Sequence, residues 1–301
     1  MRAIYAFYSK PFGSVDIRTA QTHWVVPYIE FLVLAYSVSK SKSFGFETVL
    51  FCDDYGYELI INKFKIPFDI VKVELNDIER SPKFWASGKI YAYSKGIESL
   101  GGFKPFVFFD NDAGFHKEPP THYMTSKYRC QHVHNDKDSD FENFVKKIVK
   151  ETKNEFPFDI YHECMNNIDG LKGGNAGMVV INDEQLWHEW TRYSQALVNH
   201  EYFDHLVKGE SNPFKKISLW NVVIEENLLF LLNRRLNFEL PQTVLEFNSL
   251  LLKKGTPNPT EYFHIWGLKR NKEFLKKYEK IAVDYLPKEL SERIINYFKW
   301  T

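Results

Sequence analysis

The sequence predicts an α/β protein in which a mostly parallel sheet with flanking helices fills residues 1–270 and a helical appendage follows over 271–301. Three observations predict it. Short apolar runs alternate with segments of helical spacing through the first half, the pattern of βαβ units and a parallel sheet. The runs are continuous rather than alternating, as for strands buried on both faces. The 301 residues are 44% hydrophobic and 17% aromatic, enough apolar material for a sizeable core.

The elements follow in order. Residues 3–8 read as a strand, 28–39 as a helix, 47–52 as a strand, 57–64 as a helix and 70–75 as a strand. A helix over 84–98 then precedes a short apolar strand at 105–109. The second half is less regular: a helix at 141–151, a strand at 177–181 after a glycine-rich stretch, and a long helix over 183–205 capped by Asp183. Another helix covers 221–234, and two amphipathic helices over 271–300 break at Pro287. Asp159, His162 and Glu163 flank a strand or loop. In open parallel sheets ligands bind beyond the carboxyl ends of the strands, so chemistry is sought just after them.

Charge and composition exclude several classes. Acidic and basic side chains balance at 39 each, which argues against a nucleic-acid partner, since such proteins carry a basic footprint. Cys52, Cys130 and Cys164 are odd in number and far apart, the wrong pattern for a disulfide framework or a cysteine zinc site. The most apolar run, 25–38, is interrupted by Pro27 and Glu30 and falls short of the ~20 residues a membrane span needs. A soluble, cytoplasmic protein without a signal peptide or transmembrane segment is expected. A basic tail (Lys269, Arg270, Lys272, Lys276, Lys277 and Lys280) suits an anionic membrane surface, although Glu273 and Glu279 weaken that reading and a solvated helix face accounts for it equally.

Three motifs carry chemistry. In Phe106-Val-Phe-Phe-Asp110-Asn-Asp112 a buried strand is followed by two carboxylates two residues apart. In extended backbone these converge on one side, with Asn111 facing away. The pair suits a hard divalent cation, Mn²⁺ or Mg²⁺; a polar turn ending a strand is the simpler alternative. In His264-Ile-Trp-Gly267-Leu-Lys269 the imidazole offers a third ligand, the glycine permits a close backbone approach and the lysine offers a point charge for a phosphate. In Gly173-Gly-Asn175-Ala-Gly177 the glycines open the backbone to a ligand and Asn175 can hydrogen-bond sugar hydroxyls.

Taken in chain order, these three motifs resemble the GT-A glycosyltransferases, closest to the glycogenin-like and galactosyltransferase-like group that uses UDP-sugars. Phe84-Trp-Ala-Ser-Gly-Lys89 resembles that group's donor-binding helix. The resemblance covers residues 1 to about 270 through these short motifs. It implies a GT-A fold and transfer of a sugar from a nucleotide-diphosphate donor to a glycan, glycolipid or protein acceptor. Asp110, Asp112 and His264 would ligate the metal, and Gly267 and Lys269 would contact the diphosphate. Lys89 and Asn111 would lie against the donor, Asn175 and Gly177 beside the sugar or acceptor, and Tyr8, Ser9 and Asp53 near the base or ribose. Arg270 and Asn271 depart from the Pro-Trp pair that usually follows the lysine, and the segment between Asp112 and Asn175 matches no member of the group.

An inverting transferase needs a carboxylate base for the acceptor hydroxyl, and Glu226, beside Glu225 in Val222-Val-Ile-Glu-Glu-Asn, is the candidate; a solvated helix face is the alternative. His132 and His134 lack an evident third ligand. Two other functions fit the same architecture. A sugar nucleotidyltransferase would carry a glycine-rich basic loop after the first strand, where this chain has Ser9-Lys-Pro-Phe-Gly13. A catalytically inactive nucleotide-sugar binding module would lack a metal ligand, and all three candidates are present.

Overall fold

The computed structural model describes residues 1–9, 25–78, 86–131, 133–135, 139–165, 172–174, 176–207, 219–236, 242–243, 262–265 and 268–299. In its main sheet β1 (Arg2–Phe7) is flanked by β2 (Glu47–Cys52) and then β3 (Ile70–Val73) on one side. On the other side lie β4 (Phe106–Phe109), β9 (Met178–Ile181), β6 (Tyr128–Cys130) and β10 (Gln242–Thr243). Strands β4, β1, β2 and β3 are mutually parallel, with Ile4 opposite both Val49 and Phe108. Strand β9 runs antiparallel to both β4 and β6. Two small pairs complete the architecture: β5 (Ala113–Phe115) with β11 (Tyr262–His264), and β7 (Val133–Asn135) with β8 (Lys172–Gly174).

The central strands alternate between two cores. Ile4, Val49, Phe106, Phe108 and Val179 enter one cluster, while Tyr5, Leu50, Val107, Phe109 and Val180 enter the other. Burial on both faces is what makes their sequences continuously apolar. The first core is closed by the helices Ser87–Tyr91, Glu184–Asn199 and Leu228–Arg235. The second is closed by the helix Pro27–Ser43, which starts with proline at its first turn, where a missing N–H costs nothing. That helix lies between the sheet and the C-terminal helices Lys272–Tyr285 and Lys288–Lys299. Tyr28 donates to Glu279 at 2.9 Å, Arg293 donates to the Phe64 carbonyl at 2.9 Å, and Phe298 stacks on Phe31. No helix among the described residues is long and apolar enough to cross a membrane.

The architecture is the expected α/β sheet with C-terminal helices, and two local expectations are corrected. Asp159–Met165 is helical, not a strand or loop. Helical spacing puts Asp159 and Glu163 on one face, where both bind Arg235 at 3.1 and 2.8 Å. The long helix does end the expected way at its start, where Asp183 accepts from the Leu186 amide at 2.9 Å. It stops at Asn199, however: His200 is extended, and its Nδ1 accepts from the Tyr202 amide at 3.1 Å, opening the separate helix Glu201–Val207.

His116 follows β5 and joins three elements. Its Nδ1 meets the Tyr36 hydroxyl at 2.8 Å, its Nε2 meets that of Tyr278 at 3.3 Å, and its ring packs on Phe263. Burial, assisted by the Lys40 charge, pushes the imidazole down to about 4. The folded state thus keeps His116 neutral while the unfolded chain protonates it below its ordinary value, so its contribution is complete above pH 6.5 and is lost as pH falls toward 4. We expect wild type to lose about 2 kcal/mol more than His116→Phe between pH 7 and 4.5, measured by urea denaturation at both values.

Candidate metal centre

The site begins where β4 ends. The Asp110 amide continues the ladder by donating to the Gly177 carbonyl at 3.0 Å, and the Ala113 amide then closes a turn onto the Asp110 carbonyl at 2.9 Å. Asp110-Asn111-Asp112 is therefore a tight turn leading into β5, not the extended backbone expected from the spacing. Turn closure, rather than strand alternation, brings the two carboxylates together. Asn111 sits at the turn, and its buried Oδ1 has no hydrogen-bond partner among the described residues.

Strand β5 explains how a histidine so distant in sequence arrives there. Its antiparallel partner β11 sets His264 opposite Ala113, and the Ile265 amide donates to the Asp112 carbonyl at 3.1 Å. His264 Nε2 consequently lies 3.7 Å from Asp110 Oδ2 and 3.5 Å from Asp112 Oδ1. One ligand atom from each of the three residues falls within 4.8 Å of the others. Two carboxylates and an imidazole form a donor set that fits a divalent cation such as Mn²⁺. Asp112 and His264 are buried, whereas Asp110 stays partly open, so one side of the set faces outward.

Two lysines flank the carboxylates. Lys269 Nζ lies 2.9 Å from Asp112 Oδ2. Lys89, on the helix Ser87–Tyr91, lies 2.7 Å from Asp110 Oδ1, also pairs with Glu225, and donates to the Ala176 carbonyl at 3.3 Å. Burial alone would raise the Asp112 carboxyl, but the Lys269 ammonium, with His264 beside it, outweighs burial and holds the group well below the usual carboxylate range. Burial would likewise lower Lys269, and the Asp112 and Glu30 charges raise it instead. Burial pushes Glu30, on the Pro27–Ser43 helix, up to about 7 against the pull of Lys269.

The remaining described candidates sit on neighbouring elements. Asp53 follows β2 and is buried; its Oδ2 accepts from the Ser9 amide at 2.7 Å and hydroxyl at 2.6 Å, and its Oδ1 from the Gly56 amide at 2.8 Å. One oxygen thus joins the ends of β1 and β2, and the other caps the short helix Asp54–Gly56. Tyr8 packs against the helix carrying Lys89: a Cβ on Gly88 would come within 2.8 Å of the Tyr8 Cβ. Burial, with the Asp53 charge, pushes the Tyr8 phenol up to about 12. Glu226 neighbours Glu225 in the wide helical turn Val223–Asn227 and accepts from the Ala176 amide at 3.4 Å. Asn175, Gly267 and His132 lie outside the described residues. His134 is placed on β7, paired with β8 rather than with the Asp110–His264 cluster.

Gln131, directly after β6, was not among the candidates. It is fully buried, and its Oε1 meets both His264 Nδ1 at 2.7 Å and the Tyr262 hydroxyl at 3.0 Å. Its only signal in the sequence is an amide at the end of Tyr128-Arg-Cys-Gln. Glu225, weighed beside Glu226, is the carboxylate that holds Lys89.

The chain belongs to the family of unknown function DUF6734, whose model matches residues 1–297. No curated protein matches it. Among solved structures it is similar to the galactosyltransferase LgtC, crystallised with donor and acceptor sugar analogues, at 11% identity and a TM-score of 0.42, over 97% of this chain and 100% of that one.

Gly177 is required where β9 enters the site. A Cβ there would lie 2.5 Å from Gln131 Oε1 and from the His264 ring, and neither can retreat into a filled interior. Gly177→Ala should cost about 1–3 kcal/mol in thermal or urea unfolding.

Proposed function

We propose that the protein is a divalent-metal-dependent glycosyltransferase of the GT-A type, moving a sugar from a nucleotide-diphosphate donor, a UDP-sugar, to an acceptor hydroxyl. The observation that carries this reading is the convergence of Asp110, Asp112 and His264 within 4.8 Å, flanked by Lys89 and Lys269. Asp110, Asp112 and His264 hold the cation, Mn²⁺ or Mg²⁺, which when bound neutralises charge on the leaving diphosphate. Both lysines add fixed positive charge where the diphosphate departs, in a half-buried setting that strengthens each interaction.

The transfer breaks the bond between the anomeric carbon and the diphosphate oxygen and forms one to the acceptor oxygen. The acceptor proton goes to a carboxylate, and Glu226, against Ala176 beside the centre, is assigned that task. Tyr8 and Ser9 shape the nucleoside end of the pocket. Asp53 acts there through Ser9, since its own oxygens are occupied.

Titration calorimetry with UDP, GDP and CDP, with and without Mn²⁺, tests the proposal. UDP should bind in the presence of Mn²⁺, weaken at least tenfold without it, and fail to bind Asp112→Ala. No binding of any nucleoside diphosphate under either condition would overturn the reading and leave Asp110-Asn-Asp112 a structural turn.

A further inference from the structure

We infer that Gln131 is a positioning residue that fixes the tautomer of His264 and so presents its Nε2 lone pair to the cation between Asp110 and Asp112. This rests on the metal reading above and adds a residue that the three-ligand set does not contain.

The case is one of donors and acceptors. His264 Nδ1 and the Tyr262 hydroxyl both approach the same Gln131 oxygen, at 2.7 and 3.0 Å. A carbonyl oxygen has two lone pairs and can accept from both, so the imidazole carries its proton on Nδ1. The opposite nitrogen, Nε2, is the one that faces Asp110 and Asp112, at 3.7 and 3.5 Å, so it is the nitrogen whose lone pair a cation held between them would take. The reverse tautomer would place a lone pair on Nδ1 against the Gln131 oxygen in an interior from which water is excluded, a contact with no hydrogen to bridge it.

The environment holds this geometry. Tyr262 and His264 are two residues apart on β11, so their side chains leave the same face, and both reach one amide. All three side chains are buried, Gln131 and Tyr262 completely. The third wall is the Gly177 backbone, which lies so close that even a methyl group would touch both the amide and the ring. The ring thus has a partner on one side, a wall on another, and its free nitrogen directed at the carboxylates. A hydrogen bond from the remote nitrogen of a ligating histidine orients the ring and raises its basicity toward the metal, and its loss typically costs 10–100-fold in metal affinity.

Two measurements test this. Long-range ¹⁵N–¹H NMR on histidine-labelled protein, with the His264 signals assigned through His264→Gln, reads the proton position in wild type loaded with Zn²⁺ as a diamagnetic probe; Nδ1–H with Nε2 deprotonated is expected, and a proton kept on Nε2 would overturn the inference without any variant. Mn²⁺ binding, followed by the electron paramagnetic resonance of free Mn²⁺, should then weaken 10–100-fold in Gln131→Met, with the NMR signature moving toward Nε2–H. Gln131→Glu, which keeps the acceptor, should bind within about threefold of wild type. Unchanged affinity in a cooperatively folded Gln131→Met sinks the positioning role while leaving the metal site standing. Absence of Mn²⁺ binding by wild type overturns the metal reading itself, and the inference falls with it.

Discussion

The antiparallel pairing of Tyr262–His264 with Ala113–Phe115 is the contact on which the candidate site depends. Asp110 and Asp112 come from a turn that local sequence can form unaided, but His264 and Lys269 reach it only because β11 returns to lie beside β5. The pairing is anchored on its other side. Ser37 donates to the Ala113 carbonyl at 2.7 Å and meets the Tyr5 hydroxyl at 2.8 Å. Gly114 lies so close to Ser37 that a Cβ would come within 2.4 Å of its hydroxyl oxygen. The central strand, the Pro27–Ser43 helix and the β5–β11 pair therefore form one stack, with the carboxylates at its end.

Concentrating charge at such a place has a cost that the structure offsets locally. Asp110, Asp112 and Glu225 would repel one another in a setting of low polarity, where like charges interact far more strongly than in water. Lys89 lies between Asp110 and Glu225, and Lys269 beside Asp112. Glu30 takes the other solution: its carboxyl is pushed up toward neutrality instead of being fully paired. Two lysines thus offset most of the repulsion among three carboxylates, using residues from helices and strands spread along the chain.

Much of this was legible in the sequence where the signal is local. Continuous apolar runs marked β1, β2 and β4 because burial on both faces imposes them, and Asp183 marked a helix start because its side chain satisfies a backbone amide. The three candidate ligands were visible as residue types in a recognisable order. What the sequence did not carry was registry between distant segments. Nothing in Tyr128-Arg-Cys-Gln131 says that the amide will meet a ring 133 residues away. The choice between Glu225 and Glu226 as partner of Lys89 likewise depends on the wide turn of Val223–Asn227, which rotates the two side chains relative to a regular helix. Asp159 and Glu163 read as flanking a strand or loop, and their pairing with Arg235 on another helix leaves no local signal.

The shortness of the β5–β11 ladder has a consequence for how this chain can vary. The pairing consists of three residue pairs, Phe115–Tyr262, Gly114–Phe263 and Ala113–His264. A slip of one residue would turn the imidazole to the opposite face and carry Tyr262 with it, dissolving both the candidate ligand set and its support. The surface loops within the long connection between the two strands are under no such discipline, because doubling a loop's length adds only about 0.6 kcal/mol of closure entropy, whereas β6, β9 and the helices in that connection belong to the sheet and its cores. Insertions and deletions are therefore tolerable in those loops and ruinous inside the β5–β11 ladder. In a lineage of such chains, loop lengths can drift while the spacing of the few residues in each short strand stays frozen.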